Sequence, residues 1–176
     1  MKIAITGGTA GIGQSLSNIY ESRGHEVLRL SRRNGHNIRS VPKIAKHIES
    51  CDVFVNNAQA GFAQTELLFE MAKLWQGSGK QIIVISSMIT NSATCPLPGL
   101  DMSEYYIQKV ALELAVKELR ERKLGIRFTI VRPGNIATSP DKTVPPALDV
   151  NEWAQRLIDT LYDPNQKFNV QDISLG

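Results

Sequence analysis

The sequence predicts one α/β domain over residues 1–176, with a doubly wound parallel sheet of about seven strands and helices on both faces. Short runs rich in β-branched residues alternate with longer stretches of helical periodicity along the whole chain. One run, QIIVISS (81–87), is almost continuously apolar, which is typical of a strand buried on both faces. The 176 residues, of which 42% are hydrophobic, suit a single domain with a substantial core.

Seven runs are predicted to be strands. They are KIAIT (2–6), EVLRL (26–30), a very short HNI (36–38), DVFVNNA (52–58), QIIVISS (81–87), IRFTIV (126–131) and FNVQDISL (168–175). Two proline-containing stretches, 91–100 and 133–148, interrupt the pattern and are predicted to be loops.

Five stretches have the apolar spacing of helices. They cover about 11–23, 41–50, 65–75, 103–123 and 151–161. Gly24 is placed to end the first helix, and Pro42 suits the first turn of the second. Thr65 is the predicted cap of the third, while Asp101 and Glu104 form a capping-box pattern at the fourth.

Composition excludes several classes of protein. The net charge is +3 with its positive residues scattered, which argues against nucleic acid as a partner. No apolar run approaches a membrane span, and the N-terminus lacks the pattern of a signal peptide, so we expect a cytoplasmic protein. Cys51 and Cys95 are expected to be reduced thiols. No metal site is predicted, since His25, His36 and His47 lack ligand spacing.

A glycine-rich loop follows the first predicted strand, with the sequence TGGTAGIG (6–13). Gly7 would permit the tight turn, Gly11 would let the backbone approach a pyrophosphate, and Gly13 would let the helix pack closely on the sheet. Phosphates would then face the free N–H groups at the positive end of that helix. The pattern predicts a dinucleotide site; the alternative is a glycine-rich turn without a ligand.

The spacing T-G-x-x-x-G-x-G resembles the short-chain dehydrogenase/reductase family, whose Rossmann-type domain binds NAD(H) or NADP(H) at this loop. Four further matches follow in the family's order. They are NNAQAG (56–61), like the family's N-N-A-G with Gln59 and Ala60 interrupting it, then SS (86–87), Tyr105 with Lys109 as Y-x-x-x-K, and RPGNIAT (132–138), like P-G-x-x-x-T. The resemblance covers essentially the whole chain and implies an NAD(P)-binding Rossmann-fold domain.

The resemblance implies three catalytic residues: Ser87, Tyr105 and Lys109. Tyr105 and Lys109 are four residues apart and share one side of a helix, whereas Tyr106 is rotated by about 100° and is expected only to pack or to contact substrate. Tyr105 would be the general acid or base, with its pKa lowered by the Lys109 ammonium, and Ser87 would orient the substrate oxygen. Taken singly, the serine also fits a strand-end cap and the other two an ordinary exposed helix pair.

The end of the second strand predicts the cofactor. Ser31, Arg32 and Arg33 stand where an NAD-binding site usually has an acidic residue, and two guanidiniums suit a 2′-phosphate. NADP(H) is therefore predicted over NAD(H); the alternative is a solvated basic turn. The cofactor contacts implied are Gly7, Thr9, Ala10, Gly11, Ile12, Gly13, Ser31, Arg32, Arg33, Asn37, Ile38, Asn57, Ala58, Lys109, Pro133, Gly134, Ile136 and Thr138.

The chain also departs from the family. The family's catalytic asparagine, in the helix before the SS strand, has no match, and Gln64 or Thr65 is the hypothesised replacement. The segment after Gly134 leaves little chain for a lid. An apolar wall for a small substrate is predicted from Met88, Ile89, Leu97, Leu100 and Met102.

The predicted function is that of an NADP(H)-dependent oxidoreductase that interconverts a small carbonyl compound and its alcohol. The alternative is an NADP(H)-binding sensor with little or no turnover. A sugar-nucleotide epimerase or dehydratase of a related, longer group is disfavoured, because Ala10 occupies the position of the middle glycine of that group's loop. Family members assemble through the two long helices beside the sheet, so a homodimer or homotetramer is expected.

Overall fold

Parallel strands and helices alternate along the chain in the computed structural model, which describes residues 1–91, 101–138, 147–165 and 169–176. The elements are β1 (Lys2–Thr6), α1 (Gly11–Ser22), β2 (Glu26–Leu30), α2 (Val41–Ile48), β3 (Val53–Asn56), α3 (Ala63–Leu74), β4 (Gln81–Ile85), α4 (Ser103–Glu121), β5 (Arg127–Pro133), β6 (Ile136–Ala137), β7 (Leu148–Asp149), α5 (Val150–Leu161) and β8 (Asp172–Leu175). Single 3-10 turns lie at Arg32–Asn34 and Met88–Asn91.

The main sheet has six strands in the order β2-β1-β3-β4-β5-β8, and β6 pairs separately with β7. Every pairing is parallel. The predicted doubly wound α/β fold is therefore confirmed, with six main strands rather than about seven. From β1 the chain first adds β2 on one side, and it then adds β3 and the later strands on the other side. The strand order therefore reverses between β1 and β3. Ligands of such sheets bind in the crevice at the carboxyl ends of the strands at this reversal.

Helices cover both faces of the sheet. On one face α1 and α5 pack against the strands through buried residues that include Leu16, Tyr20 and Trp153. On the other face α2, α3 and α4 do the same, with Trp75 in the core. Strand β4 is buried along its whole length, as its apolar run predicts, because helices lie on both of its faces.

The predicted strand at HNI (36–38) does not form. Instead, Arg32–Asn34 make a 3-10 turn that Gly35 ends with φ 84, and β2 remains the edge of the sheet. Ile38 is 5% exposed and packs in the core with Ile44 and Ala45 of α2. Ile38 is apolar because it packs against α2, and not because it belongs to a strand.

Two predicted helix caps are wrong. Helix α3 begins at Ala63, so Thr65 lies inside its first turn. At α4 the N-cap position is Met102, and the Asp101 carboxylate accepts a hydrogen bond from the Ser103 backbone N–H at 2.9 Å. Glu104 accepts a bond from Gln108 at 2.8 Å instead of closing a capping box. Helix α3 thus begins about one turn before the position that Thr65 predicts, whereas α4 begins at Ser103 as predicted, with its N-cap one residue after Asp101.

Some predictions fall on residues outside the described part of the chain. These are the loop over 92–100, which includes Cys95, Leu97 and Leu100 of the predicted apolar wall, and the loop over 139–146. Cys51, which is described, is a buried free thiol. Within the described ranges, no helix combines the length and apolar character that crossing a membrane requires.

Candidate active site

Two neighbouring cavities open at the carboxyl ends of the central strands. The first, of about 300 Å³, is called here the Arg32 cavity and lies beside the end of β2. The second, of about 310 Å³, is called the Tyr105 cavity and lies beside the ends of β4 and β5. Gln59, in the loop after β3, lines both of them. Together they form a cleft at the reversal point of the sheet, where the fold predicts a ligand.

The residues predicted for the site divide between these two cavities. The Arg32 cavity is lined by Gly7, Thr9, Ala10, Ser31, Arg32, Arg33, Asn37, Ile38 and Ala58. The Tyr105 cavity is lined by Ile12, Asn57, Ser87, Tyr105, Lys109, Pro133, Gly134, Ile136 and Thr138. Gly11 and Gly13 line neither cavity. The cavity of about 270 Å³ between Arg127 and Tyr162 contains none of the predicted residues.

The glycine loop has a backbone that larger residues would disturb. Gly7 has φ 72, and a Cβ placed on it would lie 2.7 Å from the side-chain nitrogen of Asn57. A Cβ on Gly13 would lie 2.4 Å from the carbonyl oxygen of Gly7, so close packing of α1 requires glycine there. A Cβ on Gly11, at φ 50, would meet Thr138 at 3.3 Å. The loop thus keeps a surface free of side chains beside the cleft.

The N-terminus of α1 meets this loop. Ala10 stands at the N-cap position in an extended conformation, and in the described part of the chain no side chain caps the helix. Its first N–H groups are therefore free to bind an anion, and the helix dipole favours negative charge at this end. The loop and helix end accordingly fit a pyrophosphate group.

The turn after β2 is built by its own side chains. Asn34 accepts a bond from the Ser31 backbone N–H at 2.8 Å, and the Thr9 hydroxyl donates to the Ser31 hydroxyl oxygen at 2.9 Å. Arg32 and Arg33 follow on the exposed 3-10 turn and line the cavity. Within the described ranges neither guanidinium forms an ion pair. Both guanidiniums are free to pair with a phosphate, with no carboxylate of the turn beside them.

The three predicted catalytic side chains share the Tyr105 cavity. Ser87 follows the end of β4 and lines the cavity together with Tyr105. Burial raises the pKa of Tyr105 above its ordinary value, and the nearby Ser87 hydroxyl acts against this increase. The Lys109 ammonium nitrogen lies 5.5 Å from the centre of the Tyr105 ring, as the four-residue spacing predicts.

Lys109 is oriented into the protein. Its side chain is 3% exposed, and its ammonium donates to the side-chain oxygen of Gln64 and to the backbone oxygen of Ile85, each at 2.9 Å. Burial lowers the pKa of Lys109 to about 8, while the Glu113 carboxylate acts in the opposite direction. The expectation that Lys109 lowers the pKa of Tyr105 is wrong for this structure. Desolvation of the phenol outweighs other effects, and the ammonium is bound to other acceptors.

Gln64 lies in the first turn of α3 and is 3% exposed. Its amide nitrogen donates to the backbone oxygens of Asn56 at 2.7 Å and of Ile85 at 3.1 Å, which leaves its oxygen directed at Lys109. Thr65, the other hypothesised replacement for the family's asparagine, is half-exposed and forms no side-chain hydrogen bond within the described residues. Of the two, Gln64 contacts the lysine directly.

No protein-family model and no curated protein sequence matches the chain. Solved structures do. A short-chain dehydrogenase from Burkholderia cenocepacia, in complex with NADP, aligns over 99% of this chain and 87% of its own at 16% identity, with a TM-score of 0.79. An alcohol dehydrogenase from the archaeon Thermococcus sibiricus, complexed with 5-hydroxy-NADP, aligns over 99% and 96% at 19% identity, with a TM-score of 0.74.

A 3-alpha-hydroxysteroid dehydrogenase from Pseudomonas, complexed with NADH, aligns over 99% of this chain and 94% of its own at 17% identity, with a TM-score of 0.71. The chain has the fold of the short-chain dehydrogenases. The alignment spans nearly the whole chain despite the low identity.

Within this short-chain dehydrogenase fold, several residues at the site lie outside the sequence motifs. Gln59 lines both cavities, and its amide bonds the side chain of Gln108. Asn135 lines the Tyr105 cavity. Glu113 lies behind the cavity, where it binds Arg132 and Ser86. Glu113 follows Lys109 by four residues, so the spacing rule that links Tyr105 to Lys109 also finds it.

Proposed function

We propose that the protein is an NADP(H)-dependent oxidoreductase that interconverts a small carbonyl compound and its alcohol. One observation carries the proposal: Ser87, Tyr105 and Lys109 line a single cavity that adjoins the glycine loop. Ser87 and Tyr105 line the same cavity, and the Ser87 hydroxyl acts to lower the pKa of Tyr105, so one substrate oxygen can contact both hydroxyl groups. A structural glycine-rich turn would require neither residue.

The chain's own residues have distinct roles in this proposal. Bound NADPH would supply the hydride for reduction of the carbonyl carbon. The Ser87 hydroxyl donates a hydrogen bond to the substrate oxygen and orients it. Tyr105 donates its phenolic proton to that oxygen in reduction and accepts it in oxidation. Because burial raises the pKa of Tyr105, the phenol is protonated near neutral pH, which favours its role as the acid in reduction.

Lys109 is the cation nearest to Tyr105 in the cavity, at 5.5 Å from the ring centre. Gln64 and the Ile85 carbonyl hold its ammonium in place. This arrangement keeps the ammonium fixed beside the Tyr105 ring. A pKa of about 8 leaves Lys109 mostly protonated at neutral pH. Its ammonium would also hold the ribose hydroxyls of the cofactor.

The preference for NADP(H) rests on the Arg32 cavity. Arg32 and Arg33, whose guanidiniums have no ion-pair partner among the described residues, line this cavity, and Ser31 stands where an acid would repel a 2′-phosphate. Two related folds were solved with NADP or 5-hydroxy-NADP, and one with NADH, so both cofactors suit this architecture. The basic pair favours the phosphorylated form.

The proposal is tested by titrating the purified protein with NADPH and with NADH, followed by cofactor fluorescence. A panel of small aldehydes and ketones is then added, and NADPH oxidation is recorded. We expect NADPH to bind at least about tenfold more tightly than NADH and to be oxidised by some of the panel. Tight binding without oxidation by any compound would instead favour the sensor function. No binding of either cofactor would overturn both proposals.

A homo-oligomer formed through α3 and α4 is proposed as well. Phe69 and Leu74 on α3 and Ile107 and Leu114 on α4 are large apolar side chains that are 40–59% exposed. Exposed apolar surface of this kind is typical of protein interfaces. Size-exclusion chromatography with light scattering should show a dimer or tetramer that Ile107→Glu with Leu114→Glu dissociates. A monomeric wild-type protein would contradict this.

A further inference from the structure

A buried carboxylate lies behind the candidate catalytic residues. Glu113 follows Tyr105 and Lys109 on the same side of α4, two turns and one turn further along, and is 7% exposed. Oxygen Oε1 accepts bonds from the Ser86 hydroxyl at 2.6 Å and from Arg132 Nε at 2.9 Å. Oxygen Oε2 accepts a bond from Arg132 Nη2 at 2.6 Å. The acidic side chain is therefore fully engaged inside the protein.

Two of the hydroxyl groups near this carboxylate belong to residues that flank Ser87. The Ser86 hydroxyl donates to Glu113 from one side. On the other side, the Thr90 hydroxyl oxygen lies 2.8 Å from Glu113 Oε1 and 2.8 Å from the Ser87 carbonyl oxygen, so its one proton serves one of these two acceptors. Glu113 therefore contacts the Ser87 turn at two positions, one immediately before Ser87 and one three residues after it.

Arg132 connects the same carboxylate to the end of β5. It precedes Pro133 and Gly134, which line the Tyr105 cavity, and its guanidinium also pairs with Asp172 of β8 at 3.1 Å. Burial acts to raise the pKa of Glu113, but hydrogen bonds from Arg132, Ser86 and Thr90 outweigh it and keep that pKa below its ordinary value. Glu113 is thus an ionised group that joins α4 to β4 and β5.

A gain in stability alone does not explain why the buried Glu113 carboxylate is paired with Arg132. A buried ion pair contributes little net stability compared with apolar residues of the same size, because both charges must leave water. What the pair provides is geometry, since an ionised carboxylate with several donors holds those donors at fixed positions. Here the donors surround Ser87, and the carboxylate is on the helix that carries Tyr105.

We propose that Glu113 is a positioning residue that holds the Ser87 turn against α4, so that the Ser87 hydroxyl stays beside Tyr105 in the cavity that both line. The inference rests on the proposed function, in which Ser87 and Tyr105 act on one substrate oxygen. Glu113 does not touch that oxygen. It acts through Ser86, Thr90 and the turn between them.

The test is a double-mutant cycle that needs no substrate. The titration of Tyr105 is followed by nuclear magnetic resonance with isotope-labelled tyrosine, its signal being assigned by its loss in Tyr105→Phe. Because the Ser87 hydroxyl acts to lower the pKa of Tyr105, Ser87→Ala should raise that pKa in the otherwise wild-type protein. In a Glu113→Gln background, the same Ser87→Ala change should raise it by less than about half as much.

The cycle separates positioning from charge. In the described part of the chain, Lys109 lies beside Tyr105, and Glu113 with Arg132 lies behind the Ser87 turn, so removing the Glu113 charge is also expected to alter the titration of Tyr105. Both members of each comparison carry the same charges, since only Ser87 changes between them. An equal upward shift in both backgrounds would overturn the inference. Glu118→Gln, at an exposed position of the same helix, is the matched control and should leave the Ser87→Ala shift unchanged.

Glu113→Gln leaves Arg132 with a neutral partner, which could unfold the protein. A second variant is therefore included. Thr90→Val removes one contact of Glu113 without uncovering a charge, and it should also reduce the Ser87→Ala shift. In turnover assays with a carbonyl substrate, Glu113→Gln should lower kcat by about 10- to 100-fold and leave the Kd for NADPH within about twofold. If the cycle shows coupling while the wild-type protein turns over no substrate, the inference stands and the proposed function fails.

Discussion

The side-chain oxygen of Gln64 lies 2.9 Å from the ammonium nitrogen of Lys109, and both residues are only 3% exposed. The two residues come from different helices and are 45 positions apart. The Gln64 amide nitrogen is bound in turn by the Asn56 and Ile85 backbone oxygens, which prevents the amide from turning away. A glutamine of α3 thus holds the lysine of α4 directly, where the family resemblance predicts an asparagine.

Replacing Gln64 by Leu should weaken both the site and the fold. The change keeps the volume but removes an acceptor from a buried ammonium and partners from two backbone oxygens. The expected loss is about 1–3 kcal/mol in the free energy of unfolding, with kcat lowered by about tenfold. Thermal or urea unfolding and NADPH oxidation measure the two effects. Thr65→Ala, at the neighbouring half-exposed position, is the control and should change neither.

Replacing Tyr105 by Phe should remove the acid while keeping the ring. Turnover should fall by about 100- to 10,000-fold, the usual contribution of a positioned proton donor. Binding of NADPH should be nearly unchanged, since the packing of the ring is kept. Tyr106→Phe is the matched control, because Tyr106 does not line the Tyr105 cavity. Turnover that survives in Tyr105→Phe would refute the assignment.

Replacing Arg32 and Arg33 together by Ala should separate the two cofactors. Each guanidinium that pairs with a phosphate contributes about 1.5–3 kcal/mol, so the Kd for NADPH should rise by about 10- to 150-fold if one of them makes this contact and by more if both do. The Kd for NADH should stay almost constant because it has no 2′-phosphate. Arg39→Ala removes an exposed cation that does not line the Arg32 cavity, and it controls for general charge effects. Equal losses for NADPH and NADH would contradict the predicted preference.

The buried lysine should make stability depend on pH. Burial lowers the pKa of Lys109 from 10.5 to about 8, so between these values the unfolded chain binds a proton at Lys109 that the folded chain does not. Stability therefore rises with pH across this window. Relative to Lys109→Met, the wild-type protein should gain up to about 3 kcal/mol between pH 8 and 10.5.

Urea unfolding at several pH values measures this difference, and the other titrating groups largely cancel between the two proteins. Lys117→Met, at an exposed position of α4, is the control and should show no such relative gain. Parallel pH profiles for wild type and Lys109→Met would mean that the lysine is not desolvated in the folded protein. That result would also argue against the hydrogen bond between Lys109 and Gln64.

The sequence by itself determined the alternation of strands and helices, the parallel sheet and the positions of the glycine loop and of Tyr105 with Lys109. These features depend on local rules. A period of two or 3.6 residues decides which side chains share a face, and four residues of helix bring two side chains together wherever the helix lies. The close packing of Gly13 on Gly7 also follows a local pattern of glycine spacing.

Only the tertiary structure decided the remaining features. HNI (36–38) has strand-like residues, but no neighbouring strand pairs with it, and α2 buries Ile38 instead. The hydrogen bonds that Lys109 donates to Gln64 and that Arg132 donates to Glu113 join separate elements, and no spacing rule extends across them. The pKa of Lys109 depends on how deeply packing buries its ammonium. Contacts and desolvation belong to the assembled core, because they depend on which surfaces meet when the helices cover the sheet.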